Sequence, residues 1–164
     1  MDGRLEAAYH MLENLGAADM PHEGGRTLLA HTVGVFKLLH HQGESDDVCL
    51  AGLCHSIYGT QYYNSSATDD RELVKSVIGE KAERLAWLYC NLDREKFWEF
   101  YGQGMKPTVD GEMISVTLEE ENGLFLMVEA NNSERIVSGE AVHWEVNEKF
   151  YPGPKKRSPF GGYK

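Results

Sequence analysis

The chain is short of several things, and each shortage closes a class of function. No apolar run approaches the roughly 18 residues that a membrane-spanning helix requires, so a transmembrane role is not expected. The opening Met1-Asp-Gly-Arg-Leu-Glu6 lacks the charged-then-apolar pattern of a secretory signal. The three cysteines, Cys49, Cys54 and Cys90, show neither metal-ligand nor disulfide spacing. Cys49 and Cys54 read as small core residues, and a reducing cytoplasm is expected. Positive charge is also scarce, and the formal net charge is −10. That argues against nucleic acid or an anionic membrane surface as partner. An anionic small substrate stays open, because a local site on an acidic protein can still be positive. The one basic run, Lys155-Lys-Arg157, falls in a Pro- and Gly-rich tail and reads as a solvated or docking segment. No internal repeat or low-complexity tract is present.

The chain has 164 residues, enough for one domain with a sizeable core. We expect a single domain over 1–150 and an irregular tail over 151–164. Its patterning is mostly helical. Leu5, Ala8, Tyr9, Leu12 and Leu15 recur at helical spacing, and Gly16 suits the stop. A loop follows over 17–25, with Pro21, His22 and Gly24-Gly25. A second helix is expected from Arg26 to Gln42, with Leu28, Thr32, Val35 and Leu39 along one stripe. Ser45 caps a third helix, expected over Asp46 to Ile57 and apolar nearly all round, hence central. Asp69 or Asp70 caps a fourth helix that ends near Gly79. A fifth carries Ala82, Leu85, Ala86 and Tyr89. Asp93 to Tyr101 reads as a short aromatic-rich helix, with Phe97 and Trp98 as packing residues, like Trp87. The main break is Gly102 to Gly111. Thr117-Leu-Glu-Glu120 then has the form of a capping box for a helix to about Ser133. Glu112 to Val116 suits a short strand, and Ala141 to Phe150 suits either a helix or a strand. The fold class is therefore all-α, with room for a short strand or hairpin in the C-terminal third.

The stretch richest in chemistry is Ala51-Gly-Leu-Cys-His-Ser-Ile-Tyr-Gly-Thr60. A small-residue, apolar helix runs there into His55, Ser56, Tyr58 and Thr60, and His31 stands on the preceding helix. Two histidines on adjacent buried helices need partners, because burying them unpaired is costly. His22 lies nine residues before His31, in the Gly-rich loop, where it can fold back over the helix. His40-His41 sits in a last turn, where cations are favoured and solvated.

His31 on one helix and His55 at the end of the next resemble the HD superfamily of all-helical metal-dependent hydrolases. The pattern is most similar to that of the guanosine tetraphosphate hydrolases, over about Thr27 to Asp93 and including the Val77-Ile-Gly-Glu80 turn. The string His55-Ser-Ile-Tyr-Gly-Thr60 also resembles the hallmark of an uncharacterised subgroup of that superfamily, in which HSIYGT replaces the His-Asp pair. The resemblance implies an HD-like helical bundle. It implies that His31 and His55 are the metal-ligand histidines, and that a late Asp or its equivalent completes the set. Asn131 is the candidate for that last position, with Asp93 as the other and Glu129 as a further carboxylate. Ser56 stands where the pattern has its Asp, and Tyr58 and Gly59 stand where it has a Glu-Asp pair.

Chemically, serine is neutral and a poor ligand for a divalent ion, so a dinuclear site is not expected. Histidines with one carbonyl oxygen suit at most one divalent metal, zinc, iron or manganese, with His22 available as a third nitrogen. The same residues also allow a metal-free site. His22, His55, Ser56 and Tyr58 would then be the catalytic groups, and Arg26, Thr60 and Asn131 would hold substrate. The expected function is hydrolysis of a small polar or phosphorylated molecule. An iron-dependent HD-type oxygenase, a metal-free lyase or isomerase, and a non-catalytic ligand-binding or interaction protein with a degenerate HD site are the alternatives. A Ser-His-acid hydrolase is not expected, because His55 and Ser56 are adjacent and their side chains diverge on a helix.

Overall fold

In the computed structural model the described residues are 3–137. The expected element at 141–150, His143-Trp144, the basic run and the tail all lie outside them.

α1 spans Arg4–Asn14, α2 Leu28–His41, α3 Asp46–Leu53, α4 Arg71–Ile78, α5 Glu80–Asn91 and α6 Leu118–Val137. Four of the six described helices start where a side chain accepts an N–H group that a helix leaves unpaired, and the other two, α1 and α5, start at Gly3 and Gly79. Thr27, Ser45 and Asp70 cap α2, α3 and α4 by accepting from Ala30, Val48 and Leu73. The capping box opens α6 reciprocally. Thr117 N–H donates to the Glu120 carboxylate at 2.8 Å, and Glu120 N–H donates to the Thr117 hydroxyl at 3.1 Å.

α3 is the centre. Cys49, Leu50, Ala51, Gly52 and Leu53 are all buried, as continuous apolar patterning requires. α2 packs against α3 and α6, α5 packs against α3, and α1 packs against α4. The core they enclose includes Leu28, Leu39, Ile78, Leu124 and Met127. A fully buried leucine is worth about 1.5–3 kcal/mol, so this interior, rather than helix propensity, supplies the stability.

A two-stranded antiparallel hairpin joins α5 to α6. β1 (Met105–Pro107) pairs with β2 (Met113–Ser115) in the register Lys106 opposite Ile114. Among the described residues the architecture is therefore mostly helical with one small hairpin. No described helix is long and apolar enough to cross a membrane.

Four boundaries differ from expectation. α2 begins at Leu28, not Arg26, because Thr27 is the cap. α3 stops at Leu53 instead of Ile57, and residues 54–58 form turns. The segment 93–101 is a string of turns and not a helix. Asp93 accepts from the N–H groups of Glu95 and Lys96, which starts a turn that the aromatic side chains then pack beneath. α6 runs one turn beyond Ser133, to Val137.

Candidate functional site

α2, the turn after α3, and the last turns of α6 meet at one buried corner. His31, His55 and Asn131 all reach it, and their side chains are nearly sealed from solvent at 1 %, 1 % and 4 % exposure. Both imidazoles are held from behind. His31 Nδ1 stands 2.6 Å from a Glu134 carboxylate oxygen, and His55 Nδ1 stands 2.6 Å from the Gly52 carbonyl. Those partners only accept, so each Nδ1 carries the proton in the neutral ring and each Nε2 presents a lone pair.

The two lone pairs face each other. His31 Nε2 and His55 Nε2 are 3.1 Å apart, and Asn131 Oδ1 is 3.0 Å from the first and 3.2 Å from the second. Three acceptor atoms in a near-equilateral triangle cannot satisfy one another. Such a corner calls for a cation, a shared proton, or the Asn131 amide turned to present its NH2 group. Ligands on a divalent ion at about 2.1 Å and at right angles stand about 3.0 Å apart. The residues present therefore fit one ion of the borderline class. The donors are neutral, and the compensating charge sits behind His31 on Glu134. Among the described residues no group of three or more His, Cys, Asp or Glu side chains gathers as a metal site. The third donor here is an amide.

Glu134 is itself clamped. Arg26 donates to both its oxygens, at 2.5 and 2.8 Å. Burial alone would raise this carboxyl, but the bonds from His31 and Arg26 outweigh it and hold the group at about 2. His55 is lowered as well, but there the shift favours the neutral form. Burial first, then the neighbouring His31, pushes it well down, against the opposing pull of the Gly52 carbonyl. Room for the carboxylate comes from Gly34, one turn after His31. A Cβ there would stand 2.5 Å from Glu134 Oε1.

The corner opens into a small cleft with about 30 Å³ of free space, enough for an ion and a water. Of the expected site residues, His31, His55, Asn131, His22, Ser56 and Thr60 line this cleft or its floor. His22 takes a different post from the one expected. It stacks flat on His31, with centroids 4.2 Å apart and planes at 12°, so it covers the pair and adds no third nitrogen to it. Thr60 holds a turn by accepting from Tyr63 N–H at 3.1 Å.

Tyr58 does not line the cleft. Its hydroxyl donates to Glu83 at 3.0 Å on another face of α5, because the chain turns after α3 instead of continuing as helix. Arg26 is committed to Glu134, so it braces the site and is not placed to hold substrate. Asp93 caps its own turn and accepts from Gln61 at 3.2 Å, and Glu129 does not line the cleft. The cysteines offer no nucleophile. Burial pushes Cys54 and Cys90 up to about 12 and Cys49 up to about 11, so all three stay thiols.

Sequence reasoning missed Glu134, Tyr89, Arg94 and Arg135. Glu134 had a readable signal, since it follows Asn131 by three residues and so shares its helix face. Arg94 reaches the cleft from the turns after α5. It donates to the Tyr89 hydroxyl at 3.0 Å and lies 4.4 Å over the Tyr62 ring. The Tyr89 ring meets His55 edge-on at 5.2 Å.

No curated protein and no solved structure matches this chain. Residues 11–94, which include His22, His31 and His55, match the family described as "Domain of unknown function (DUF6817)". That match spans half of the chain, and the protein belongs to this family.

Proposed function

We propose that this member of DUF6817 is a divergent HD-like enzyme. In this reading it holds a single divalent ion at His31, His55 and Asn131 and hydrolyses a small polar or phosphorylated molecule. The observation that carries the proposal is the convergence of three lone-pair atoms at 3.0 to 3.2 Å with nothing of their own to share. The chain order agrees with the HD pattern, with one histidine on α2, the next just after α3 and the last ligand on a late helix.

A bound ion supplies Lewis acidity and a water of lowered pKa. The chain's own groups do the rest. Glu134 fixes the tautomer of His31 and places a full negative charge one residue behind the donors. The Gly52 carbonyl does the same for His55 without charge. Ser56 leaves the wall neutral where an aspartate would add a ligand, so one ion rather than two is accommodated. His22 and Tyr63 roof the corner, with ring centroids 5.1 Å apart, and exclude bulk water from it.

Calorimetric titration of zinc, manganese and ferrous iron into chelator-treated protein tests the proposal. One ion per chain is expected for the wild type, and none for His55→Ala or Asn131→Ala. Hydrolysis of small phosphorylated substrates by the loaded protein should vanish in the same variants. Failure of the wild type to take up any of the three ions defeats the metal and leaves the second reading. In that reading His55, kept neutral by burial, is a base beside the His31–Glu134 pair, and the chemistry is proton transfer.

A further inference from the structure

The cleft reverses the sign of the molecule around it. The chain carries a formal net charge of −10, yet the cleft is lined by two guanidinium groups, Arg94 and Arg135. Glu23 is the one carboxylate lining it among the described residues. Its oxygen stands 2.7 Å from Arg135 Nη2, at the mouth.

Glu23 is carried on a pinched loop. Pro21 and Thr27 bridge at its neck, and His22 N–H donates to the Arg26 carbonyl at 2.8 Å. The loop turns over at Gly24 and Gly25, whose φ values of 73° and 74° suit glycine alone. One further bond ties the loop to the opposite wall, from the Tyr63 hydroxyl to the Pro21 carbonyl at 3.1 Å. Glu23 is thus presented to Arg135 by a short arm. Its side chain is 54 % exposed and that of Arg135 is 28 % exposed, so the contact is a solvent-screened ion pair of small net worth.

The free space deeper in, about 30 Å³, admits an ion and a water but no organic body. A ligand must therefore keep its body outside and place only its charged head at the mouth, where the Glu23 carboxylate sits. We infer that the Glu23 carboxylate occupies the seat of a ligand oxyanion, and that a small carboxylate or phosphate compound binds by displacing Glu23 from Arg135. This inference rests on the small-molecule site proposed above and names the group by which its ligand is recognised. Arg94, deeper in the same cleft, adds a second guanidinium whose fork suits such an anion.

The test uses the opposite signs expected of the two partners in one ion pair. Inorganic phosphate, and separately acetate, is titrated into chelator-treated full-length chain, with tyrosine fluorescence or calorimetry as the readout. Removing the competitor in Glu23→Gln should tighten binding about threefold, the scale of an exposed ion pair. Removing the seat in Arg135→Gln should weaken it about tenfold, and Arg135→Lys should recover part of the loss. A preference for phosphate or for acetate tells which anion the seat was shaped for, and either one supports it. The inference is overturned if both variants weaken binding, if neither changes it, or if neither anion binds to wild type or Glu23→Gln. The titration is done without metal, so its failure leaves the ion at His31, His55 and Asn131 untouched. Failure of the ion titration likewise leaves this one standing.

Discussion

Two arginine–glutamate forks in this molecule look nearly alike. In one, Arg26 grips Glu134 at 2.5 and 2.8 Å while His31 approaches the same carboxylate at 2.6 Å. In the other, Arg71 grips Glu83 at 2.7 and 2.8 Å while Tyr58 donates to it at 3.0 Å. Both carboxylates are buried, at 6 % and 3 % exposure. The difference lies in the third partner. An imidazole held at one nitrogen still presents the other, and His31 turns its Nε2 to His55 and Asn131. A phenol that donates from its one oxygen has no second polar atom to turn elsewhere. Burial, and next the bond to Glu83, raises the Tyr58 hydroxyl further, so it stays protonated. The same ion pair is thus a support for chemistry in one place and a brace in the other. The Arg71 guanidinium, 4.4 Å over the Trp87 ring, completes the brace.

The comparison breaks most readily at Arg71. Arg71→Ala leaves the buried Glu83 with Tyr58 as its donor and should cost about 2 kcal/mol, read as a thermal midpoint lowered by roughly 6 °C. Ion affinity in the folded variant should stay at the wild-type value. An equal loss of ion affinity would mean that the two forks are not separate. Glu134→Gln probes the other side. It keeps an acceptor for His31 but removes the charge, so ion affinity should fall at least about tenfold with only a minor change in stability. An unchanged affinity would make this fork a brace as well.

The smallest expected effect is the pH response. His55 is neutral in the folded chain and ordinary, near 6.5, when unfolded. Below that pH the unfolded state binds a proton that the folded state refuses, so stability is full above 6.5 and declines as pH falls. One proton sets the limit at about 1 kcal/mol over the first pH unit. Urea midpoints against pH should show this slope in wild type and in Tyr58→Phe, and a flatter line in His55→Gln. A slope that survives in His55→Gln would assign the proton elsewhere.

The helices and their starts were legible because caps are local. Ser45, Asp70 and the Thr117–Glu120 box each make in the structure the bond their spacing implied. The ends were less so. Placing the end of α6 at Ser133 cut off the turn that holds Glu134 and Arg135, and with it the charge behind His31 and the guanidinium at the cleft mouth. β1 was hidden for another reason. Its Lys106 points inward to pair with the buried Glu121 and donates to the Phe100 carbonyl at 2.7 Å, which no hydrophobic pattern can announce. The convergence of His31, His55 and Asn131 is a tertiary fact, suggested by residue type and settled only by how α2 and α6 cross.

That crossing is gauged by an absence. Where α2 passes α6, the backbone at position 34 comes so near the Glu134 side chain that a single methyl would collide with three of its atoms. Such a methyl would push the acid away from its imidazole without touching any donor atom of the corner. The width of the molecule at this point works like a caliper set to one hydrogen. Any attempt to tighten this bundle by filling glycines should spare that position, because the gain in helix propensity would be taken out of the alignment of the histidine.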